Sequence, residues 1–292
     1  MDALPQELIQ EIVSRTSPAH ASGKLSLLCS SFWSAAKSNL VWERFLPPDL
    51  IARRAVQDQV DYNDPWKNID ADTLRAFPNK KDLYLFLCDN PLYIDNGVMY
   101  TWLDKLSGNR CFHIGPQSLT LGHPDGWSGV HFWRDWRYNI IPCLDQGRPK
   151  NLEIEGKMST SILSQNTTYT AYLLFNFTGY FYFKGFGKKE PLETFVGIDG
   201  YGESDSRLVY IPTDNPKYYK PDEPGAFIGP QYPVLRKDEL YEIELGSYVN
   251  KEGCENRELR MSLKKVKSRR GVKSGISLYG IEILPESSVK TG

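Results

Sequence analysis

The densest collection of groups able to recognise a ligand lies at residues 117–138, QSLTLGHPDGWSGVHFWRDWRY. Trp127, Phe132, Trp133 and Trp136 stand there beside His123, Asp125, Arg134 and Asp135. Aromatic rings stack on the C–H faces of sugars, and fixed polar side chains supply directional hydrogen bonds. The same tryptophans also suit the packing of a β-sandwich, and at this level both readings stand open. The remaining clusters offer less. His113, His123 and His131 lack the cysteine partners and spacing of a zinc site. Glu153 and Glu155, like Glu242 and Glu244, sit two apart in strand-like runs, which puts each pair on one solvated face. No Ser or Cys stands in a recognisable arrangement with His and an acid, and no phosphate-binding glycine loop occurs. The reading is therefore a non-catalytic chain with no cofactor and no metal. Lys264, Lys265, Lys267, Arg269, Arg270 and Lys273 form a basic run that reads as a solvated hairpin, with a nuclear address as the alternative. Asn166 and Asn176 open glycosylation sequons by pattern only.

Two kinds of element must position these groups. Over the first ~46 residues the apolar period is helical. Leu4, Leu8 and Ile12 recur at i, i+4 and i+8, and Ile9 and Val13 widen the stripe. Pro5 suits a first helical turn, and Ser17-Pro18 reads as an N-cap followed by Pro at N1. Leu25, Leu28 and Cys29, then Phe32, Trp33 and Ala36, then Trp42, Phe45 and Leu46 carry helical segments up to Pro47-Pro48. Residues 48–97 read as a linker, with Lys80–Cys88 either a helical turn or a docking segment. From about residue 98 the period becomes two. Leu152/Ile154, Tyr169/Ala171/Leu173/Phe175/Phe177, Tyr241/Ile243/Leu245, Leu259/Met261/Leu263 and Tyr279/Ile281/Ile283 each mark one face of a strand. The loops Lys184–Gly187 and Tyr218–Pro233 separate such runs. The fold class expected is α+β as a two-domain chain, a helical N-terminal unit followed by an all-β antiparallel sandwich.

Composition narrows the function classes. Of 292 residues 40% are hydrophobic and 24% charged, and the net charge is −1, so no overall field draws the chain to nucleic acid or an acidic membrane. No run approaches the ~20 apolar residues of a membrane helix, and MDALPQEL is not a secretory signal. Five dispersed cysteines, Cys29, Cys88, Cys111, Cys143 and Cys254, argue for free thiols in a reducing compartment. The expected location is cytoplasmic and/or nuclear.

The stretch LPQELIQEIVSRTSP…LSLLCSSFWSAAKSNLVWERFLP, residues 4–47, resembles an F-box. KKDLYLFLCDNPLYIDNG, LEIEGKMSTSILSQNTTYTAYLLFNF, ELYEIELGSYV and KSGISLYGIEILPE, in that order, resemble the phloem protein 2 family of plant proteins, also called Nictaba-like lectins. The resemblance implies an F-box over 1–47, a linker and docking segment over 48–97, a jelly-roll-like β-sandwich over 98–286 and a tail over 287–292. It implies a substrate-recognition subunit of a Skp–cullin–F-box ubiquitin ligase that recruits protein targets, glycoproteins among them; a stand-alone carbohydrate-binding lectin with a stress-related role is the alternative. Leu4, Pro5, Leu8, Ile9, Ile12, Leu28, Trp33 and Trp42 would bind the Skp-type adaptor, and cullin through it. Trp127, Phe132, Trp133 and Glu258 would bind an N-acetylglucosamine-type or N-glycan ligand. Against the family pattern, His123 stands where a tryptophan is expected and Lys265 where an acid is expected.

Overall fold

The computed structural model describes residues 4–52, 74–94, 99–122, 152–177, 191–211, 232–252, 256–265 and 276–286. The chain divides into two compact units, Met1–Cys111 with Ser287–Gly292, and Phe112–Glu286.

In the first unit, α1 (Gln6–Ser14) follows Pro5, which occupies the N-cap position and accepts from the Leu8 and Ile9 amides. Ser17 caps α2 (Pro18–Ser22) by accepting from the His20 amide, with Pro18 at N1, as its sequence signature predicts. Helices α3 (Ser30–Lys37), α4 (Asn39–Glu43) and α5 (Pro48–Ala52) follow. Ile9, Val13, Ala21, Ala35 and Val41 bury one small core. A second core gathers Trp42, Leu46, Leu50, Leu74, Leu83, Tyr84, Leu87, Leu92 and Leu103. Helix α6 (Lys80–Asp89), capped by Asn79, and the hairpin of β1 (Leu92–Ile94) with β2 (Met99–Leu103) supply half of it. The segment read from sequence as a linker thus contains ordered, core-forming elements. The Tyr84 hydroxyl donates to the Asp104 carbonyl at 2.9 Å from inside this core, and burial pushes the Cys88 thiol up to about 11, which leaves it unreactive near neutrality. Cys29, Cys88 and Cys111 are free thiols.

The second unit is a sandwich of two antiparallel sheets. Within it the first sheet runs, in spatial order, from the end of β3 (Arg110–Ile114) to β12 (Ile276–Pro285), β6 (Thr167–Phe177), β10 (Tyr241–Asn250) and β9 (Val234–Leu235). The second runs β4 (Thr120–Leu121), β5 (Glu153–Ser159), β11 (Glu258–Lys265), β7 (Leu192–Ile198) and β8 (Tyr201–Val209). The alternation on β5, β6 and β11 places Ile154, Met158, Leu173, Phe175, Leu259, Met261 and Leu263 in the core. The two inner faces meet at Gly156, where an added Cβ would lie 2.9 Å from Ile281 Cδ1 and 3.2 Å from Leu119 Cδ2.

Strand β12 departs from the expected period. A bulge between Leu278 and Gly280 shifts its register, so Leu278, Ile281 and Ile283 point inward while Tyr279 joins Tyr172, Leu174, Leu240 and Leu284 in a separate cluster on the other face. Gly280 takes φ +130, and a Cβ there would stand 2.3 Å from the Ile114 carbonyl, so only glycine fits. His113 packs under this bulge, its Nε2 donating to the Tyr279 carbonyl at 3.1 Å; the carbonyl can only accept, which fixes the proton on Nε2.

Burial pushes the His113 pKa down to about 3. A neutral histidine in the fold and a titrating one in the unfolded chain means that the unfolded state binds the extra proton between pH ~6.5 and the depressed folded value. Stability from this group is present above pH ~6.5 and falls as pH drops, by about 2 kcal/mol at pH 5. Glu282, whose pKa burial raises despite Arg236 beside it, contributes in the opposite sense, since its folded form takes up a proton at a higher pH than the unfolded form does. The quantity to read is therefore the difference between wild type and His113→Gln. Denaturant titrations of both proteins from pH 7.5 to 5 are expected to lose stability more steeply for wild type; parallel slopes would contradict the burial argument.

Candidate functional site

The helical unit presents its apolar residues on two different sides of α1. Ile9 is 4% exposed and Val13 fully enclosed, whereas Leu8 is 51% and Ile12 44% exposed. With 3.6 residues per turn, the i, i+4 pairs Leu8/Ile12 and Ile9/Val13 are rotated by one residue, about 100°; one pair packs the unit and the other faces solvent. Leu4 and Pro5 continue the outward side. Gln6 Nε2 donates to the Ser31 carbonyl at 3.4 Å, which ties the start of α1 to the start of α3. Beyond it Leu28 and Trp33 are exposed, and the Lys37 ammonium lies 3.4 Å from the centre of the Trp33 ring. Such a row of exposed leucine, isoleucine and tryptophan side chains on short helices is suited to burial by a second protein.

Of the residues assigned from sequence to an adaptor surface, Leu4, Pro5, Leu8, Ile12, Leu28 and Trp33 are outward. Ile9 and Trp42 are corrected: both are interior. Trp42 is 1% exposed, its Nε1 donates to the Ala36 carbonyl at 2.7 Å, and its ring stands 5.6 Å from Phe45 and 5.2 Å from Tyr84. The cause is α6, whose Tyr84 closes over the indole. Leu27, 84% exposed, and Leu40 are outward as well and were not singled out in the sequence. Both are leucines outside the inward face, a signal visible only once the helix rotations are fixed.

The sugar candidates divide differently. Trp127, Phe132 and Trp133, with His123, lie outside the described residues. Glu258 opens β11 on the outer face of the second sheet, exposed, with Lys157 Nζ 2.8 Å from its Oε1. That contact raises the Lys157 pKa. Along the same outer face Arg260 Nε lies 2.6 Å from Glu155 Oε2, and its Nη1 donates to both Asp199 oxygens at 2.9 and 2.7 Å. Lys264 pairs with Glu153 at 2.7 Å. Ser262, on the side of the strand opposite Leu259, Met261 and Leu263, is also 0% exposed. Lys265 ends the strand, its amide donating to the Leu152 carbonyl. Among the described residues no group of His, Cys, Asp and Glu could hold a metal ion, and no helix is long and apolar enough to cross a membrane.

Comparison with known proteins gives two concordant results. Residues 110–285 match the family described as Phloem protein 2. Across nearly the whole chain the sequence is similar to F-box proteins of Arabidopsis thaliana. F-box protein At2g02240 is 32% identical over 98% of this chain and 81% of its own length. Putative F-box protein PP2-B12 is 31% identical over 97% of each, and F-box protein SKIP3 is 30% identical over 98% of this chain and 88% of its own length.

Proposed function

This chain belongs to the phloem protein 2 family, alongside plant F-box proteins, and from that membership we propose that it is the substrate-recognition subunit of a Skp–cullin–F-box ubiquitin ligase. The observation that carries the proposal is the outward apolar side of the helical unit: Leu4, Leu8, Ile12, Leu27, Leu28 and Trp33 are exposed on elements whose inward side chains already complete a core. Docking on a Skp-type adaptor gives those side chains a partner, and cullin joins through the adaptor. Ubiquitin transfer takes place on other subunits; this chain contributes recognition, in the cytoplasm or nucleus. Purified full-length chain mixed with a Skp adaptor and cullin is expected to elute as one complex. Separate elution at micromolar concentrations would count against the proposal.

At the target end we propose glycoprotein recognition through Trp127, Phe132, Trp133 and Glu258. An exposed carboxylate beside an ammonium offers a sugar both an acceptor and a donor. Loss of a stacked ring removes about 0.5–1.5 kcal/mol beyond its area term, and loss of a charged acceptor about 1.5–3 kcal/mol. Trp133→Ala and Glu258→Ala are each expected to weaken binding of chitin oligomers or an N-glycan core by about tenfold or more in calorimetry, and His123→Trp to strengthen it. A wild type that gives no heat at millimolar sugar would leave a protein-binding sandwich in its place.

A further inference from the structure

We infer that the helical unit meets its adaptor across a stretch that carries cations and no carboxylate, so that the partner's docking face is acidic. Lys24 and Lys37 are the groups that meet it, and Lys37 is also the positioning residue for Trp33. This deepens the adaptor reading above and rests on it.

The charge pattern begins in the sequence. The chain holds 36 Asp and Glu against 35 Lys and Arg, yet no Asp or Glu occurs from Ile12 to Trp42, where Arg15, Lys24 and Lys37 do. Glu11, just before this stretch, balances the cations nearest to it: Arg15 Nε and Arg44 Nη2 each lie 2.7 Å from its carboxylate. Lys24 and Lys37 are exposed and, among the described residues, stand in no ion pair. A solvated helical face mixes both signs, as Glu11 and Arg15 do at i, i+4. Here the two lysines are interspersed with apolar side chains instead. Lys24 precedes the turn Leu25–Leu27, after which Leu28 is 64% exposed, and Lys37 ends α3, after which Leu40 is 65% exposed. An apolar patch fringed by one sign of charge fits a partner that offers apolar contact and the opposite sign. Because the whole chain carries −1, any attraction to an acidic partner is local to this stretch.

Lys37 has a second part to play. Trp33 and Lys37 stand at i, i+4 on α3, and the ammonium lies 3.4 Å from the centre of the ring. The indole is 51% exposed, so other staggered rotamers are open to it, and a cation on its face selects one. A side chain ordered before docking does not have to be ordered during it. The ammonium has three donors, and those not turned to the ring are available to a carboxylate. Lys37 also suits the end of the helix dipole, but that effect depends on charge alone, whereas positioning requires Trp33.

The test is stopped-flow association and dissociation of the full-length chain with a purified Skp-type adaptor, from about 50 to about 500 mM salt. Wild-type association is expected to slow by about tenfold or more over that range. Lys24→Gln with Lys37→Gln is expected to slow association by about threefold or more at low salt and to flatten the salt dependence. Lys37→Gln alone is expected to speed dissociation by about two- to fivefold, with Lys37→Arg restoring the wild-type rate. In a Trp33→Leu background Lys37→Gln is expected to leave dissociation unchanged, a result that a charge acting on the helix end alone would not give. Association indifferent to salt and to both lysine changes, in a chain whose binding Leu8→Asp still abolishes, would overturn this inference and leave adaptor docking intact. Sedimentation with phosphatidylserine vesicles that is lost in the double lysine variant, while its adaptor rates stay at wild-type values, would assign the cations to a membrane surface and overturn it as well. A wild type that binds no Skp-type adaptor would overturn both readings.

Discussion

Replacing Leu8 or Ile12 by Asp is expected to reduce adaptor affinity by more than about a hundredfold without unfolding the chain. Both side chains lie on the outward side of α1 and take no part in the Ile9–Val13 core. On an exposed helix face the substitution changes helix propensity by less than about 1 kcal/mol. In the complex it would bury a carboxylate against an apolar partner, and an uncompensated buried charge costs about 3 kcal/mol or more, which is a factor above about a hundred in affinity. Ile9→Asp is the contrast: it puts the charge into the helical core and is expected to unfold the unit. Titration of a Skp adaptor into each variant, with circular dichroism alongside, separates the two outcomes. Full affinity in Leu8→Asp would mean that the exposed side of α1 is not the docking surface.

Trp42→Ala is expected to act on folding, with any loss of adaptor binding following from it. The indole is fully enclosed between Phe45 and Tyr84 and anchors the Ala36 carbonyl through Nε1. Truncating a buried tryptophan costs about 3–5 kcal/mol, and the carbonyl left unpaired adds about 1 kcal/mol or more. A unit of this size has little stability to spare. Amide exchange in α4 and α6 of the full-length variant should accelerate by two or more orders of magnitude, by about 1.4 kcal/mol per tenfold. Trp42→Phe, which keeps a ring but not the N–H, should fall between. Unchanged exchange in Trp42→Ala would contradict the central place of the indole in this core.

How far the sequence reaches follows from how each element is buried. The inward face of strand β11 was legible, since its neighbours on both sides leave one face in the core, and Leu259, Met261 and Leu263 follow the period. Strand β12 was not, because a bulge at Gly280 changes parity halfway and carries Tyr279 to the other face. Strand β6 lies between two partners and hides Leu174 and Tyr172 as well as the predicted side, so its alternation reveals only half of its burial. On α1 the apolar residues form one broad stripe in sequence. Only the packing of α2, α3 and α4 against it decides that Ile9 and Val13 go inward and Leu8 and Ile12 outward. Trp42 was assigned to the adaptor surface through the F-box resemblance alone, and no local pattern shows its burial, because the helix that covers it, α6, begins 38 residues later. The Lys157–Glu258 and Arg260–Glu155 pairs depend on strand register between distant segments, which no local pattern encodes.

The most direct test of the account is an amide-exchange footprint of the full-length chain with and without a saturating Skp adaptor. The account predicts protection concentrated in Leu4–Ile12 and Leu27–Trp33, with strands β5, β7 and β11 unchanged. Protection confined to the β-sandwich, or none in α1, would contradict it.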